Sequence, residues 1–347
     1  MRALLVGCGA MATAWADAVQ KNELLRGRVE LAGLVDPNPV AAKKLAADHG
    51  LSDLPVFSNM DDALGQVQAE IVFDVTPPEA RADIVRKAII SGCHVLSEKP
   101  MAANMAAARG LAELAKENQR VFSVTQNRRY KHGVRRIEAF LASGALGEPT
   151  GLHADFFIGA RFGGFRDQMA HVLLLDMAIH HFDAARFMIG KNARNVFCRE
   201  TNPTGSWYDA DASAFATFEM SGGCFFTYRG SWCAQGQHTS WDAAWRITGT
   251  LGNLIWDGED KLEAYVAHGE ETFLRESMRI DVPELDSNAQ TQGHASVLAA
   301  FLDSIETGRP PETDSTDNLH SMAMVFGAIQ SAETGQLINI PKDFQTS

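Results

Sequence analysis

RALLVGCGAMA, residues 2–12, decides how the rest of the chain is read. A short apolar run leads into Gly7, Cys8, Gly9, Ala10, Met11 and Ala12, a G-x-G-x-x-A turn, and residues 10–21 have helical composition. The spacing has a physical sense. Gly7 permits a tight turn, Gly9 lets the backbone approach a pyrophosphate, and Ala12 lets the helix pack close to the strand. The helix N-terminus then offers N–H groups and a partial positive charge to the phosphates. Cys8 reads as a small apolar residue of the turn. In isolation the pattern also fits a plain βα turn with no ligand, so its surroundings carry the weight.

Those surroundings repeat the strand–turn–helix unit. VELAGLVD (29–36) is a second strand closed by Asp36, an acid placed to accept hydrogen bonds from ribose hydroxyls and to repel a 2′-phosphate. Pro37 and Asn38 bring no cation to offset that repulsion, so NAD is expected over NADP. Asn38 and Pro39 open a helix that stops at Gly50. IVFDV (71–75), HVLSEKP (94–100) and VFSVT (121–125) are further strands, and Asn104 caps an alanine-rich helix. Alternation of this kind predicts an α/β fold with parallel βαβ units and a doubly wound parallel sheet. After the turn SGALGEP (143–149) the pattern changes to successive strands: GLHADFFIG, ASAFATFEM, CFFTYRGSW, AWRITGT, NLIWDG and KLEAYVAH. SGG (221–223) and TLGN (250–253) are hairpin signals, so a large, mostly antiparallel open sheet is expected. The division is set at 1–123 for the dinucleotide domain and 124–347 for a substrate and oligomerisation domain, with the last helices packing back on the first.

Composition narrows the function. The chain has 347 residues, 46% apolar and 21% charged, with a formal net charge of −12. Two domains are the default at this length. The acidic balance speaks against a nucleic-acid partner, and no run approaches the roughly 20 apolar residues of a membrane span. The N-terminus passes directly into a strand without room for a signal peptide, and the five scattered cysteines lack any CxxC, so a cytoplasmic location is expected.

Ligands of open α/β sheets bind beyond the carboxyl ends of the strands. TPP (76–78) and SEKP (97–100) both lie there. Lys99, held extended before Pro100, is either a solvated surface lysine or a cation reaching ribose and substrate. A helix farther on, LLLDMAIHHFDAARFMIG (173–190), interrupts its apolar residues with Asp176, His180, His181 and Asp183. Asp176 and His180 are four apart and share a face, Asp183 lies near the same stripe, and His181 points away. His181 reads as a hydrogen-bonded core histidine. The D-x3-H pair supplies two metal ligands only if others join, and His153 and His171 have no spacing to do so; no metal is expected. The remaining reading is acid–base work on an alcohol. His180 would take the hydroxyl proton, Asp176 would hold the substrate or orient the imidazole, and Lys99 would place positive charge beside the alkoxide.

Taken together, GCGAMA, Asp36, TPP, SEKP and DMAIHHFD resemble the Gfo/Idh/MocA oxidoreductases, relatives of glucose–fructose oxidoreductase and inositol dehydrogenase. Further likeness lies in SGALGEP, WRITGTLGNL and ETDSTDNLHSM, so the resemblance covers nearly the whole chain. It implies an N-terminal Rossmann domain, a C-terminal α/β domain with a large open sheet, and assembly through that sheet as a homodimer or homotetramer. The family's lysine, aspartate and histidine fall on Lys99, Asp176 and His180. The cofactor contacts expected for NAD are Gly7, Gly9, Ala10, Met11, Asp36, Thr76, Pro77, Glu98 and Lys99. One departure is Arg81, where family members often carry a histidine. Arg128, Arg129, Tyr130, Arg161, Arg166 and His238 lie in segments resembling variable substrate loops. Arg128, Tyr130, Arg161 and His238 are the expected substrate contacts, with a surface or salt-bridge role as the alternative for each. Trp232, Trp241 and Trp245 are expected to pack on the sheet. The resemblance implies a cytoplasmic, NAD-dependent dehydrogenase of a sugar, inositol or related polyol. The rivals are a non-catalytic, dinucleotide-sensing regulator of the same fold and a member using NAD transiently, for glycoside cleavage or internal oxidoreduction.

Overall fold

The apolar run that opens the chain is a central strand of a parallel sheet. A computed structural model describes residues 1–271 and 273–344. Its first elements are β1 (Arg2–Val6), α1 (Ala10–Lys21), β2 (Glu30–Val35), α2 (Pro39–Asp48), β3 (Val56–Phe57), α3 (Met60–Gln66), β4 (Ile71–Asp74), α4 (Pro78–Ile90), β5 (His94–Ser97), α5 (Met105–Glu117) and β6 (Phe122–Val124). The strands are ordered β3-β2-β1-β4-β5-β6 and every pair is parallel. Leu4, Leu5, Val72, Phe73, Val95 and Leu96 are fully buried, as befits strands covered on both faces. The order reverses between β1 and β4, and the crevice beyond their carboxyl ends is the ligand position of such a sheet. Asn38 caps α2 by accepting from the Val40 N–H, and Asn104 caps α5 by accepting from the Ala107 N–H.

By its internal contacts the chain divides into two units. One comprises 1–127 with 292–319; the other comprises 128–291 and the chain from His320 onward. The second unit contains α6 (His132–Ala142), β7 (Pro149–Phe157), the short α7 (Phe165–Gln168), a π-helical turn (Leu174–Ala178), α8 (Ile179–Ile189) and the strands β8 (Ala193–Thr201), β9 (Ser213–Met220), β10 (Phe225–Ser231), β11 (Ala244–Gly249), β12 (Gly252–Trp256), β13 (Leu262–His268) and β14 (Glu276–Ile280). The chain ends with α9 (His294–Thr307), α10 (Ser315–Thr334) and β15 (Ile338–Asn339). Nine strands form one sheet, ordered β14-β13-β12-β11-β7-β10-β9-β8-β15, antiparallel except for the β7–β10 pair. The SGG and TLGN segments turn β9 into β10 and β11 into β12, with Gly222 and Gly223 both at a φ of 80°.

The two faces of this sheet differ. On one, Phe182 of α8 packs against Phe218 and Phe226, with ring centroids 4.8 and 5.9 Å apart. Gly133 of α6 abuts the Trp256 indole. The other face exposes Phe197, Phe215 and Phe225. Within the first unit, α9 lies on α1 and the sheet: His294 meets Trp15 edge-on at 4.7 Å, and Arg28 pairs with Asp303 at 2.6 Å and Glu306 at 3.0 Å. Among the described residues no helix is long and apolar enough to cross a membrane.

Asp183 does not share the environment of Asp176, as the helical stripe had suggested. It is fully buried, accepts from Arg129 Nε and Nη2 at 2.7 Å each and from the Ser321 hydroxyl at 2.6 Å, and lies 3.6 Å from Arg186. Arg129 is thereby a core ion-pair partner. A buried charge whose partner is removed is strongly destabilising. Asp183→Ala is expected to lower unfolding stability by about 3–5 kcal/mol, read as a fall in the denaturant midpoint; an unchanged midpoint would show that the ion pair contributes nothing.

Candidate active site

The glycine turn has the shape a pyrophosphate requires. Gly7 sits at a φ of +88°, and a Cβ there would lie 2.8 Å from the Val75 carbonyl, so this turn presses against the end of β4. Gly9 is the opposite case: a Cβ there would meet nothing within 4 Å. Gly9, Ala10 and Met11 are exposed, among the described residues no side chain caps α1, and its first turn carries no acid. The helix thus presents its positive end, uncapped, beyond the strand edge. Asp36 closes the rim. Its carboxylate accepts from the Cys8 N–H at 2.8 Å and the Asn38 N–H at 2.7 Å. A carboxylate has about four acceptor positions, which leaves capacity for ribose hydroxyls. The cradle fits a dinucleotide: Gly9, Ala10 and Met11 would face the pyrophosphate and Asp36 the adenosine ribose.

Farther along the same sheet edge, Thr76 and Pro77 follow β4, and Glu98 and Lys99 follow β5. Glu98 is buried; it accepts from Trp15 Nε1 at 3.0 Å and from the Lys99 N–H at 3.2 Å. Lys99 is half-buried at the strand end. Arg81, whose role the sequence left open, is buried and pairs with Asp74 at 2.9 Å.

In the second unit Asp176 lies within the π-helical turn and His180 in the first turn of α8. Single π turns inside helices recur at functional sites. The segment Gly159–Gln168 brings Arg166 to Asp176, with Nε donating to Oδ2 at 2.9 Å. The Arg166 guanidinium also lies over the rings of Phe162 and Phe165, at 5.0 and 4.9 Å. Arg161 stacks on Trp207 at 3.8 Å. This arrangement was visible only in part beforehand. The palindrome RFGGFR (161–166), whose Gly163 and Gly164 take φ values of 70° and 68°, is the signal that marks it. His181 is buried against Phe156, Tyr228 and Trp245, and burial, with the charge of Arg128 adding to it, pushes its pKa down to about 3. It is therefore a neutral core residue at physiological pH.

The other expected contacts have varied surroundings. Arg128 is ion-paired with Asp242, and Tyr130 is buried beneath Arg135, whose guanidinium lies 4.5 Å from its ring centre. His238 is exposed, and its Nε2 accepts from the Gly159 N–H at 3.2 Å. Trp232 and Trp245 pack in the core, while Trp241 is half-exposed beside Trp232 and Phe162. Among the described residues no group of three or more His, Cys, Asp or Glu side chains is arranged to hold a metal ion.

Comparison with known proteins supports the fold and the dinucleotide-binding character of the first unit. A family model described as an oxidoreductase family with an NAD-binding Rossmann fold matches residues 1–126. A second, for the GFO/IDH/MocA C-terminal domain, matches residues 134–255. The chain is 27% identical over 352 residues to the uncharacterized protein y4oX of Sinorhizobium fredii, covering 99% of this chain and 97% of that protein. It is 21% identical over 350 residues to an inositol 2-dehydrogenase of Rhizobium meliloti, covering 97% and 98%. An oxidoreductase from Agrobacterium radiobacter, solved in complex with NAD+, L-tartaric acid and magnesium, has the same fold, with a TM-score of 0.86 at 20% identity over 98% of both chains.

The two glycines give opposite expectations. Gly9→Val should leave the thermal midpoint within about two degrees, because its side chain meets open space, yet weaken NAD binding at least about tenfold by filling the approach to the pyrophosphate. Gly7→Val should destabilise the fold itself. Calorimetric titration of wild type with NAD and NADP should favour NAD, and Asp36→Ser should narrow that difference. Full NAD affinity in Gly9→Val would remove the cradle from consideration.

Proposed function

The chain belongs to the GFO/IDH/MocA oxidoreductases, with an NAD-binding Rossmann domain, and on that premise we propose that it is an NAD-dependent dehydrogenase acting on a secondary alcohol of a sugar, inositol or related polyol. The observations that carry this reading are an open dinucleotide cradle in the first unit and, described separately in the second, Asp176 in a π-helical turn with His180 in the helical turn that follows. A sensor of dinucleotide has no need of such a proton-transfer set.

Bound NAD supplies the hydride acceptor. In this reading His180 takes the proton of the reacting hydroxyl, the role suited to an imidazole near neutral pH. Asp176, held by Arg166, keeps a neighbouring substrate hydroxyl or the imidazole in place. Lys99 sets positive charge beside the developing alkoxide. Arg161 and His238, both exposed, offer donors to the rest of a polyol, whereas Arg128 is engaged by Asp242 and Tyr130 is buried, so neither is assigned a substrate contact in this reading. No metal enters the scheme.

We further propose that the protein assembles as a homodimer or homotetramer through the open face of the nine-stranded sheet. Phe197, Phe215 and Phe225 are each between 42% and 50% exposed there, and a run of aromatic side chains on an uncovered sheet face favours burial against a second copy. Light scattering should return a mass of at least twice 37.7 kDa at micromolar concentration; a monomer would contradict this.

The catalytic assignment has a direct test. His180→Ala should lower kcat by roughly 10²–10⁴-fold with NAD affinity nearly intact. It should also abolish the near-neutral limb of the kcat/KM profile for alcohol oxidation. His181→Phe should keep that limb, because the neutral His181 does not titrate there. Lys99→Met should also cut kcat, and dialysis against EDTA should change nothing. Near-normal turnover in folded His180→Ala, or loss of activity on chelation with recovery on adding zinc, would overturn the assignment.

A further inference from the structure

Asp74, the last residue of β4, has no exposed surface. Its carboxylate accepts from the Thr76 N–H at 3.0 Å, from the Thr76 hydroxyl, from the Ser97 hydroxyl at 2.6 Å and from Arg81 Nε at 2.9 Å. Arg81, near the start of α4, is 1% exposed. Its Nη1 donates to the Pro100 carbonyl and its Nη2 to the Thr76 carbonyl. All three guanidinium nitrogens are therefore engaged, and one side chain joins the loop after β4 to the loop after β5.

Lys99 stands in the middle of what is joined. On its amino side, its N–H donates to Glu98 Oε2, while the Glu98 N–H donates to the Asp74 carbonyl at 2.8 Å. On its carboxyl side, the next carbonyl, that of Pro100, is held by Arg81. The Lys99 backbone is thus fastened on both flanks to the Asp74–Arg81 pair.

A buried ion pair is a poor source of net stability, since well-packed apolar residues of similar volume often serve as well. What a guanidinium adds is a rigid planar fork whose donors point in fixed directions, something an ammonium cannot reproduce. Here the fork is spent on two loop carbonyls. Small misplacements of a reacting group cost large factors in rate. We infer that Arg81 is a positioning residue for Lys99, fixing the lysine through the Pro100 and Thr76 carbonyls. This rests on the proposed reading in which Lys99 acts at the reacting hydroxyl.

Arg81→Lys tests it. The variant keeps a cation beside Asp74 but has one nitrogen for three oxygens. NAD affinity and the KM of the alcohol should each stay within about threefold, while kcat falls by about ten- to a hundredfold. A second readout needs neither cofactor nor turnover. With the lysines reductively 13C-methylated, the Lys99 resonance is assigned by its loss in Lys99→Arg. It should shift or broaden in Arg81→Lys while the other lysine resonances hold. A folded Arg81→Lys with kcat within about threefold of wild type, or with an unmoved Lys99 resonance, would overturn the inference. If instead Lys99→Met keeps full kcat, the proposed role of Lys99 fails, and the resonance still reports whether Arg81 positions it. Should Arg81→Lys not fold, Ser97→Ala loosens the same carboxylate. It should move the Lys99 resonance and lower kcat by about three- to tenfold, and no change in either would be equally decisive against the inference.

Discussion

The first unit is organised around a carboxylate and a guanidinium taken wholly out of water. Charges are buried only where hydrogen bonds replace the lost solvent, and at Asp74 and Arg81 that condition fixes the surrounding chain. Satisfying Asp74 draws in Thr76 and Ser97; satisfying Arg81 draws in the carbonyls of Thr76 and Pro100. The loops that follow β4 and β5 are set by that requirement. The glycine turn after β1 fits against the same strand end, where Gly7 leaves no room for a Cβ beside Val75. Cofactor turn, TPP loop and SEKP loop share one rigid footing at the point where the strand order reverses.

The second unit repeats the device. Asp183 is buried with Arg129, Ser321 and Arg186, and it fastens α8 from within. One turn earlier on this helix stands His180, and just before it the π-helical turn places Asp176 opposite Arg166. Beside them, His181 is committed to the aromatic core against Phe156 and Tyr228. Of the polar side chains that interrupt this apolar helix, two therefore hold the fold and two serve the proposed chemistry.

Much of this was legible in the sequence wherever local spacing governs. The glycine turn, the acid ending β2, the asparagine caps and the hairpin glycines each report a conformation fixed within a few residues. β3 and β15 were missed because two-residue strands leave no periodic trace, and β14, ESMRI, because it is exposed and does not alternate. β8, ARNVFCRET, was missed because charged and amide side chains break its apolar pattern. The partner of Asp183 is 54 residues away, so helical spacing alone put it on the wrong stripe. The π-helical turn follows from packing, not from the apolar period. Arg81 is only seven residues from Asp74, but its reach to Pro100 depends on two adjacent parallel strands ending together.

In the proposed function this chain oxidises an alcohol with NAD through its own side chains. The most direct measurement is the appearance of NADH absorbance when the protein and NAD are offered a panel of aldoses, inositols and sugar acids. Sustained turnover is expected with at least one member of the panel. Tight NAD binding with no NADH formed from any of them, and no oxidation of NADH by the corresponding ketones, would contradict it and leave a protein that binds the dinucleotide without using it.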